Sequence, residues 1–217
     1  MLERYIQALS LADPGLEEPA ATRERLRERF ARGATRRMTQ LGLLVGVALD
    51  DLGPRADDAV VYASSYAETR ALEAYLESFP TASPTLFQTS IHPSAVQQAL
   101  ITRQHPVGEF FPLTGRRYLV AQALQTAMLS PAPRVLVCGG EERGTWLLEK
   151  GYASARTFAF AFALTAEPAG ALARLSLGPA EGPADGLALE PFFDALAARQ
   201  TLDVVAAPGL RLTLTWQ

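Results

Sequence analysis

The side chains that could act as nucleophiles or bases are few. The only cysteine, Cys138, lies inside the apolar run 134–139, where a thiol is more typical of a core strand than of a reactive site. His92 lies between Ile91 and Pro93 and could serve as a general base, but no serine or cysteine nucleophile is evident beside it. The residues favour structural roles for Cys138 and His92, and catalysis is the alternative.

A pair of glycines follows the same apolar run. Gly139 and Gly140 end a predicted strand, as in nucleotide-binding folds, but the third glycine of a G-x-G-x-x-G turn is missing. Glu141 and Glu142 come next, and two carboxylates there would repel a phosphate. A nucleotide-binding α/β domain therefore remains only a minor alternative.

The sequence offers no clear metal site. One cysteine and two histidines cannot assemble an ordinary structural zinc site. Acidic residues gather around Gly53 and Pro54, and we interpret them as a solvated helix end and turn; they are Asp50, Asp51, Asp57 and Asp58. We predict neither a metal ion nor a cofactor.

Positive charge is concentrated between residues 22 and 38, where seven arginines face two glutamates. This arginine block is either a surface for an acidic partner or a solvated helix face on which Glu28 and Arg32 pair at i,i+4. The seven are Arg23, Arg25, Arg27, Arg29, Arg32, Arg36 and Arg37.

The elements that must position these residues alternate along the chain. We predict a buried helix over 37–52, a buried strand over 58–64, and an extended segment over 109–114. After a turn at Gly115, a helix over 116–129 precedes the strand at 134–139. Residues 156–165 alternate phenylalanine with alanine, so both faces of that strand should be covered. The pattern predicts an α/β layered domain with a mixed sheet over 21–217, preceded by an arm over 1–20.

Composition narrows the class of protein. The chain has 217 residues, 48% of them apolar, which is enough for one sizeable core. We expect no membrane span, because the longest apolar run is far shorter than about 20 residues. The start of the chain does not resemble a secretory signal, so we predict a cytoplasmic protein. A net charge of −3 gives no general attraction to nucleic acid.

Several segments resemble one family. The segment 83–92, SPTLFQTSIH, is similar to an "SPT-F-x-x-SVHN" motif of short β-ketoacyl synthase-like proteins often called chain-length-factor-like, although Pro93 replaces the asparagine. The segments 36–41 and 60–68 and the strand 134–139 follow the element order of a ketosynthase N-terminal half. The resemblance covers about 36–178 and implies a thiolase-like half as the fold.

The resemblance also implies where a nucleophile would lie. The family places a cysteine at a strand-to-helix elbow, which corresponds here to Leu113, Thr114 and Gly115. Leucine cannot form an acyl thioester, and the threonine hydroxyl has no identifiable base. The family's two catalytic histidines belong to a C-terminal half that we do not find in this sequence. The resemblance therefore implies a catalytically inert subunit; the alternative is a stand-alone acyl-thioester enzyme using Thr114, Cys138 or His92.

An inert subunit of this family would act through partners, namely an active ketosynthase and an acyl carrier protein. The resemblance implies that bulky residues near the elbow either wall an acyl tunnel or form the interface; they are Ile91, His92, Phe110 and Phe111. Ordinary core packing is the alternative for them. Because acyl carrier proteins are acidic, the carrier contact is predicted at part of the arginine block, namely Arg25, Arg29, Arg32, Arg36 and Arg37.

Overall fold

The computed structural model describes residues 1–184 and 186–217. The described residues form eight strands, β1 to β8, which span Leu2–Ala12, Ala59–Ser64, Glu109–Thr114, Arg134–Glu141, Phe158–Thr165, Ala173–Pro179, Leu202–Ala207 and Leu210–Trp216. They form eight α-helices, α1 to α8, which span Pro19–Leu26, Gln40–Leu52, Thr69–Glu77, Pro84–Ser90, Ser94–Arg103, Leu119–Leu129, Trp146–Glu149 and Leu189–Ala197. Two 3-10 turns, Arg27–Arg29 and Ala34–Arg37, lie between α1 and α2.

The strands form one mixed sheet in the order β3-β2-β4-β5-β1-β6-β8-β7. Strand β2 pairs in parallel with both β3 and β4, whereas the remaining neighbours pair antiparallel. The parallel strands are joined through helices, as parallel connections require. This arrangement confirms the predicted α/β class with a mixed sheet.

Helices cover both faces of the sheet. Strand β5 shows why: its phenylalanines, such as Phe160, pack in the cluster with α6 and α8, while its alanines, such as Ala161, pack in the cluster with α2 and α5. The small alanine face lets α2 lie close to the sheet, and the large phenylalanine face fills the opposite layer. The predicted burial of this strand on both faces is confirmed.

Local signals explain the ends of the buried helix α2. The Thr39 hydroxyl accepts a hydrogen bond from the Gly42 amide at 3.0 Å, which satisfies one free donor at the N-terminus. Gly53 ends the helix with φ +59°, in the left-handed region that favours glycine. No helix in the described part of the chain is long and apolar enough to cross a membrane.

The first residues are not an arm. Strand β1 lies inside the sheet between β5 and β6, and Ile6 is fully buried. The local pattern is a weak signal there because most β1 side chains are only partly buried and charged residues such as Glu3 and Arg4 interrupt the apolar ones. The turn at 13–15 therefore ends a core strand.

Two prolines close together usually indicate a loop, and the segment around Pro80 and Pro84 departs from that pattern. Pro84 instead begins helix α4, and the Ser83 hydroxyl accepts a hydrogen bond from the Leu86 amide at 3.3 Å. Proline is well tolerated in the first turn of a helix, because its missing N–H has no partner there. A proline that seemed to break structure thus begins a helix.

Candidate functional site

The carboxyl ends of the three parallel strands meet at one edge of the sheet. Ser64 ends β2, Thr114 ends β3 and Glu141 ends β4. In α/β sheets, ligands commonly bind at this edge. A cavity of about 320 Å³ lies here, and its lining includes Ser65, Tyr66, Arg116, Glu141, Ser154 and Glu190. We call it the strand-end cavity.

Glu141 is the buried acid of the strand-end cavity. Its carboxylate accepts hydrogen bonds from the Ser64 hydroxyl at 3.1 Å and from the amides of Ser65 and Tyr66, the latter at 3.0 Å. Burial raises the pKa of Glu141 to about 7, although these donors oppose the shift. The group holds the turn after β2 in place.

The strand-to-helix turn beside this cavity carries no thiol. Leu113 and Thr114 still belong to β3, and the turn itself comprises Gly115, Arg116, Arg117 and Tyr118. Leu113 packs against the core, while Thr114 is exposed. The helix predicted to begin at Arg116 therefore begins three residues later, and the predicted elbow lies partly on the strand.

Arg116 is the cation of the strand-end cavity. Its guanidinium lies 4.8 Å from the ring centroid of Tyr66 and 5.6 Å from that of Tyr152, and it donates to the Gly151 carbonyl at 2.7 Å. Such contacts hold the side chain beside the cavity. The arrangement supplies a fixed cation and a buried carboxyl, but no acyl-accepting sulfur.

Cys138 faces the α2 layer of the core and is fully buried. Burial raises the pKa of its thiol, so the reactive thiolate is disfavoured. This placement agrees with the structural interpretation of the residue.

The glycine pair of β4 allows close backbone packing. A Cβ on Gly139 would lie 2.3 Å from the Ala63 carbonyl oxygen, and one on Gly140 would lie 2.1 Å from the Phe158 carbonyl oxygen. Both glycines are buried within the strand, so they do not form an open loop around a phosphate.

The predicted tunnel residues do not share one surface. His92 stacks on Tyr62, whose ring belongs to the α2 and α5 layer, and Phe110 packs against that same layer. Phe111 packs against the opposite layer with α6. Ile91 is 45% exposed. Alternation along β3 thus separates the two phenylalanines, so Phe110 and Phe111 cannot line a single wall.

The arginine block does not form one helix face. Helix α1 ends at Leu26, so Glu28 and Arg32 do not lie on one helix, and the described residues show no ion pair between them. Arg25 binds Glu17, and Arg29 binds Asp50 and Asp51.

The other arginines predicted to contact a carrier differ from Arg25 and Arg29 in their ion pairs. Within the described chain, no carboxylate lies in ion-pair distance of Arg32, Arg36 or Arg37. These three remain available to an acidic partner.

The acidic group around Gly53 holds structure together. Asp58 is fully buried and pairs with Arg134 at 3.4 Å, while Asp50 also pairs with Arg103. Among the described residues, no cluster of three or more acidic, histidine or cysteine side chains could hold a metal ion.

Sequence reasoning missed an apolar groove between α5 and β3. A wide, open cavity of about 670 Å³ is lined by Leu100, Ile101, Pro106, Val107 and Phe110, among others. Ile101 is 75% exposed there. An exposed isoleucine in the last turn of a helix was the signal in the sequence, but only the fold brings it beside β3. We call this surface the α5–β3 groove.

Comparisons with known proteins bear on the fold alone. No family model matches the chain, and no curated protein matches it. Solved structures do match, and they show that the chain shares its fold with ketosynthases and chain length factors, as the resemblance implied.

Three solved structures illustrate this likeness. The first is described as the ketosynthase ApeO in complex with its chain length factor ApeC from Xenorhabdus doucetiae; the match covers 99% of this chain and 100% of that chain, with a TM-score of 0.69 and 18% identity. The ishigamide ketosynthase/chain length factor matches over 82% of this chain and 68% of that chain, with a TM-score of 0.61 and 14% identity. The complex AntDE:AntF, a type II polyketide synthase acyl-carrier protein with its ketosynthase, matches over 83% and 70%, with a TM-score of 0.56 and 11% identity.

Proposed function

We propose that the chain is a non-catalytic, ketosynthase-like subunit of the chain-length-factor type. It pairs with an active β-ketoacyl synthase in polyketide, aryl-polyene-like or fatty acyl assembly on an acyl carrier protein. We expect the assembly to work in the cytoplasm.

The observation that carries this proposal is strand β3. It leads into a turn without a thiol, and the chain's cysteine is buried on another strand. Covalent acyl transfer needs an accessible nucleophile, and the buried thiol of Cys138 does not supply one.

The position of β3 at the edge of the sheet supports a partner role. β3 forms one edge of the sheet, and the α5–β3 groove leaves apolar side chains uncovered beside it. Uncovered apolar surface of this kind is typical of interfaces. Because Pro112 lacks an N–H, a partner strand could not form a continuous ladder along β3, so the groove side chains would provide most of the contact.

Matched structures support the choice of partners. Two are described as a ketosynthase with its chain length factor, and a third includes an acyl-carrier protein. The unpaired Arg32, Arg36 and Arg37 provide positive charge for an acidic carrier, and such binding should weaken as salt rises.

The first experiment is a pull-down of the tagged full chain from its native cell, with mass spectrometry and light scattering of the isolated complex. Recovery of a full-length ketosynthase in one-to-one ratio would support the proposal. A monomer or homodimer without any synthase would contradict it.

A pair of variants locates the interface. I101D places a charge in the α5–β3 groove, where Ile101 is 75% exposed, and should weaken recovery of the ketosynthase about tenfold or more, because an unpaired charge is costly at an interface. L16D is the matched control, because Leu16 is 82% exposed in the loop before α1. Equal recovery with both variants would exclude the groove as the interface.

Incubation of the isolated chain with a radiolabelled acyl thioester separates the proposal from the stand-alone enzyme. The proposed function requires that no label stays on the protein. Stable labelling that is lost in T114A or C138A would instead establish an acyl-enzyme.

A further inference from the structure

Four arginines and the N-termini of α2 and α3 lie around one cavity beside the 3-10 turn Ala34–Arg37. A cavity of about 230 Å³ opens there, and its lining includes Arg23, Arg36, Arg37, Arg70 and Glu142. We call it the arginine cavity. It lies at the N-terminus of α2, apart from the strand-end cavity and from the α5–β3 groove.

Hydrogen bonds from Arg23 hold the backbone on both sides of Arg36 and Arg37. The Arg23 guanidinium donates to the carbonyl of Thr35 at 3.3 Å and to that of Met38 at 3.2 Å. These two carbonyls flank Arg36 and Arg37, so the turn that presents both side chains is anchored before any ligand arrives. An anchored backbone leaves less conformational entropy to be lost when an anion binds.

One carboxylate already lies inside this positive region. The Glu142 carboxylate accepts hydrogen bonds from the backbone amides of Gln40 at 3.0 Å and Leu41 at 3.4 Å, at the start of α2. It also accepts one from the backbone amide of Arg70 at 3.1 Å, at the start of α3. Its oxygens are directed to these three amides. It therefore balances the two helix ends, and of the outer guanidinium groups it attracts that of Arg70.

The outer arginines have little internal compensation. No carboxylate in the described chain pairs with Arg36 or Arg37, and the Nε of Arg70 lies 3.9 Å from a Glu73 oxygen, at the limit of an ion pair. Guanidinium groups bind tetrahedral oxyanions through paired, charge-assisted hydrogen bonds. Four arginines and one glutamate line this cavity, and its volume of about 230 Å³ is large enough for one phosphate group.

From this geometry we infer that the arginine cavity is a binding site for a phosphate group, either free or as the end of a phosphate ester. Arg36, Arg37 and Arg70 would bind the oxygens, and Arg23 is a positioning residue. The inference does not depend on pairing with a ketosynthase, because every group that it uses belongs to this chain.

The test is calorimetric titration of the full chain with inorganic phosphate and, separately, with glycerol 3-phosphate, at constant ionic strength. We expect one site per chain for at least one of the two probes. Binding of the ester as well as the free ion would identify a phosphate end as the ligand, whereas binding of the free ion alone would identify inorganic phosphate.

Matched variants separate a built site from diffuse surface charge. R36Q/R37Q should weaken binding about tenfold or more, because both substitutions remove charge-assisted hydrogen bonds to the anion. R27Q/R32Q removes the same charge from the same block, outside the cavity, and should change the affinity by less than about twofold. Absence of saturable binding with both probes, or equal losses in both variants, would overturn the inference. The titration uses the isolated chain, so its result is independent of the ketosynthase pull-down.

Discussion

The imidazole ring of His92 lies nearly parallel to the phenol ring of Tyr62, with 5.1 Å between the centroids and 19° between the planes. Both ring nitrogens of His92 are buried and have no hydrogen-bond partner among the described residues. Burial lowers the pKa of His92, so the neutral ring is favoured. The residue is placed as a packing group on the core tyrosine.

This relationship predicts that the ring matters more than its nitrogens. H92F keeps an aromatic ring against Tyr62 and should leave the free energy of unfolding unchanged or raise it, whereas H92A should lower it by about 2 kcal/mol. Denaturant unfolding of both variants measures the difference. If H92F were as destabilised as H92A, an imidazole nitrogen would have a role that packing does not explain.

A second prediction concerns pH and the buried Glu68. Its carboxylate accepts a hydrogen bond from the Ala95 amide at the start of α5. Burial is the largest cause of its pKa shift and raises the pKa to about 7. Because the folded-state pKa lies above the unfolded value near 4.5, the folded chain binds more protons between these values. The contribution of Glu68 to the free energy of unfolding is therefore greatest at low pH and is lost as pH rises to about 7.

E68Q should remove the pH-dependent contribution of Glu68 to the free energy of unfolding. The free energy of unfolding of the wild type, minus that of E68Q, should fall by on the order of 3 kcal/mol between pH 5 and pH 8. Denaturant melts at several pH values measure the difference, and Glu141, whose pKa is also raised to about 7, is present in both proteins. E149Q at an exposed position is the control and should follow the wild type. Parallel curves for wild type and E68Q would contradict the assignment.

How much was predictable depended on whether the signal was local. Strands β4 and β5 were predicted because a buried apolar run and a strict alternation are visible within ten residues. Strand β1 was not, because Leu2–Ala12 mixes charged and apolar residues and lies mostly half-buried between its two neighbours.

The cavities were not predictable, because the residues that line them lie far apart in the sequence. The strand-end cavity joins Ser65, Arg116 and Glu141 from the ends of three strands, and the arginine cavity brings Arg70 of α3 beside Arg36. Strand order and helix placement bring these residues together, and neither is visible in local periodicity. The absence of a cysteine from residues 113–118 is visible in the sequence itself, because residue identity alone decides it.

A third prediction tests the reason for the glycine pair. G139A should prevent folding or lower the free energy of unfolding by about 3 kcal/mol, because its Cβ would lie 2.3 Å from the Ala63 carbonyl oxygen. G178A is the matched control in strand β6, where the nearest heavy atom, Met1 Cγ, lies 3.9 Å away. That variant should be neutral or slightly stabilised. A folded, stable G139A would show that the close approach is not required and would reopen the phosphate-loop interpretation of Gly139 and Gly140.

The last prediction concerns Glu142, which joins the N-termini of α2 and α3. E142A would leave the buried amides of Gln40 and Leu41 and the partly buried amide of Arg70 without their acceptor, and each unpaired buried donor costs about 1–3 kcal/mol. We therefore expect a loss of about 3 kcal/mol or more in the free energy of unfolding. E142Q retains one acceptor oxygen but turns an N–H toward one set of amides, so an intermediate loss is expected.

Hydrogen exchange locates the effect. In E142A the first-turn amides of both α2 and α3 should exchange faster, whereas those of α6, on the opposite face of the sheet, should keep their protection relative to the global stability. The exposed E149A is the control for loss of a carboxylate. If E142A loosened only one of the two helices, Glu142 would cap that helix alone, and the convergence of the two N-termini on one carboxylate would not contribute to stability.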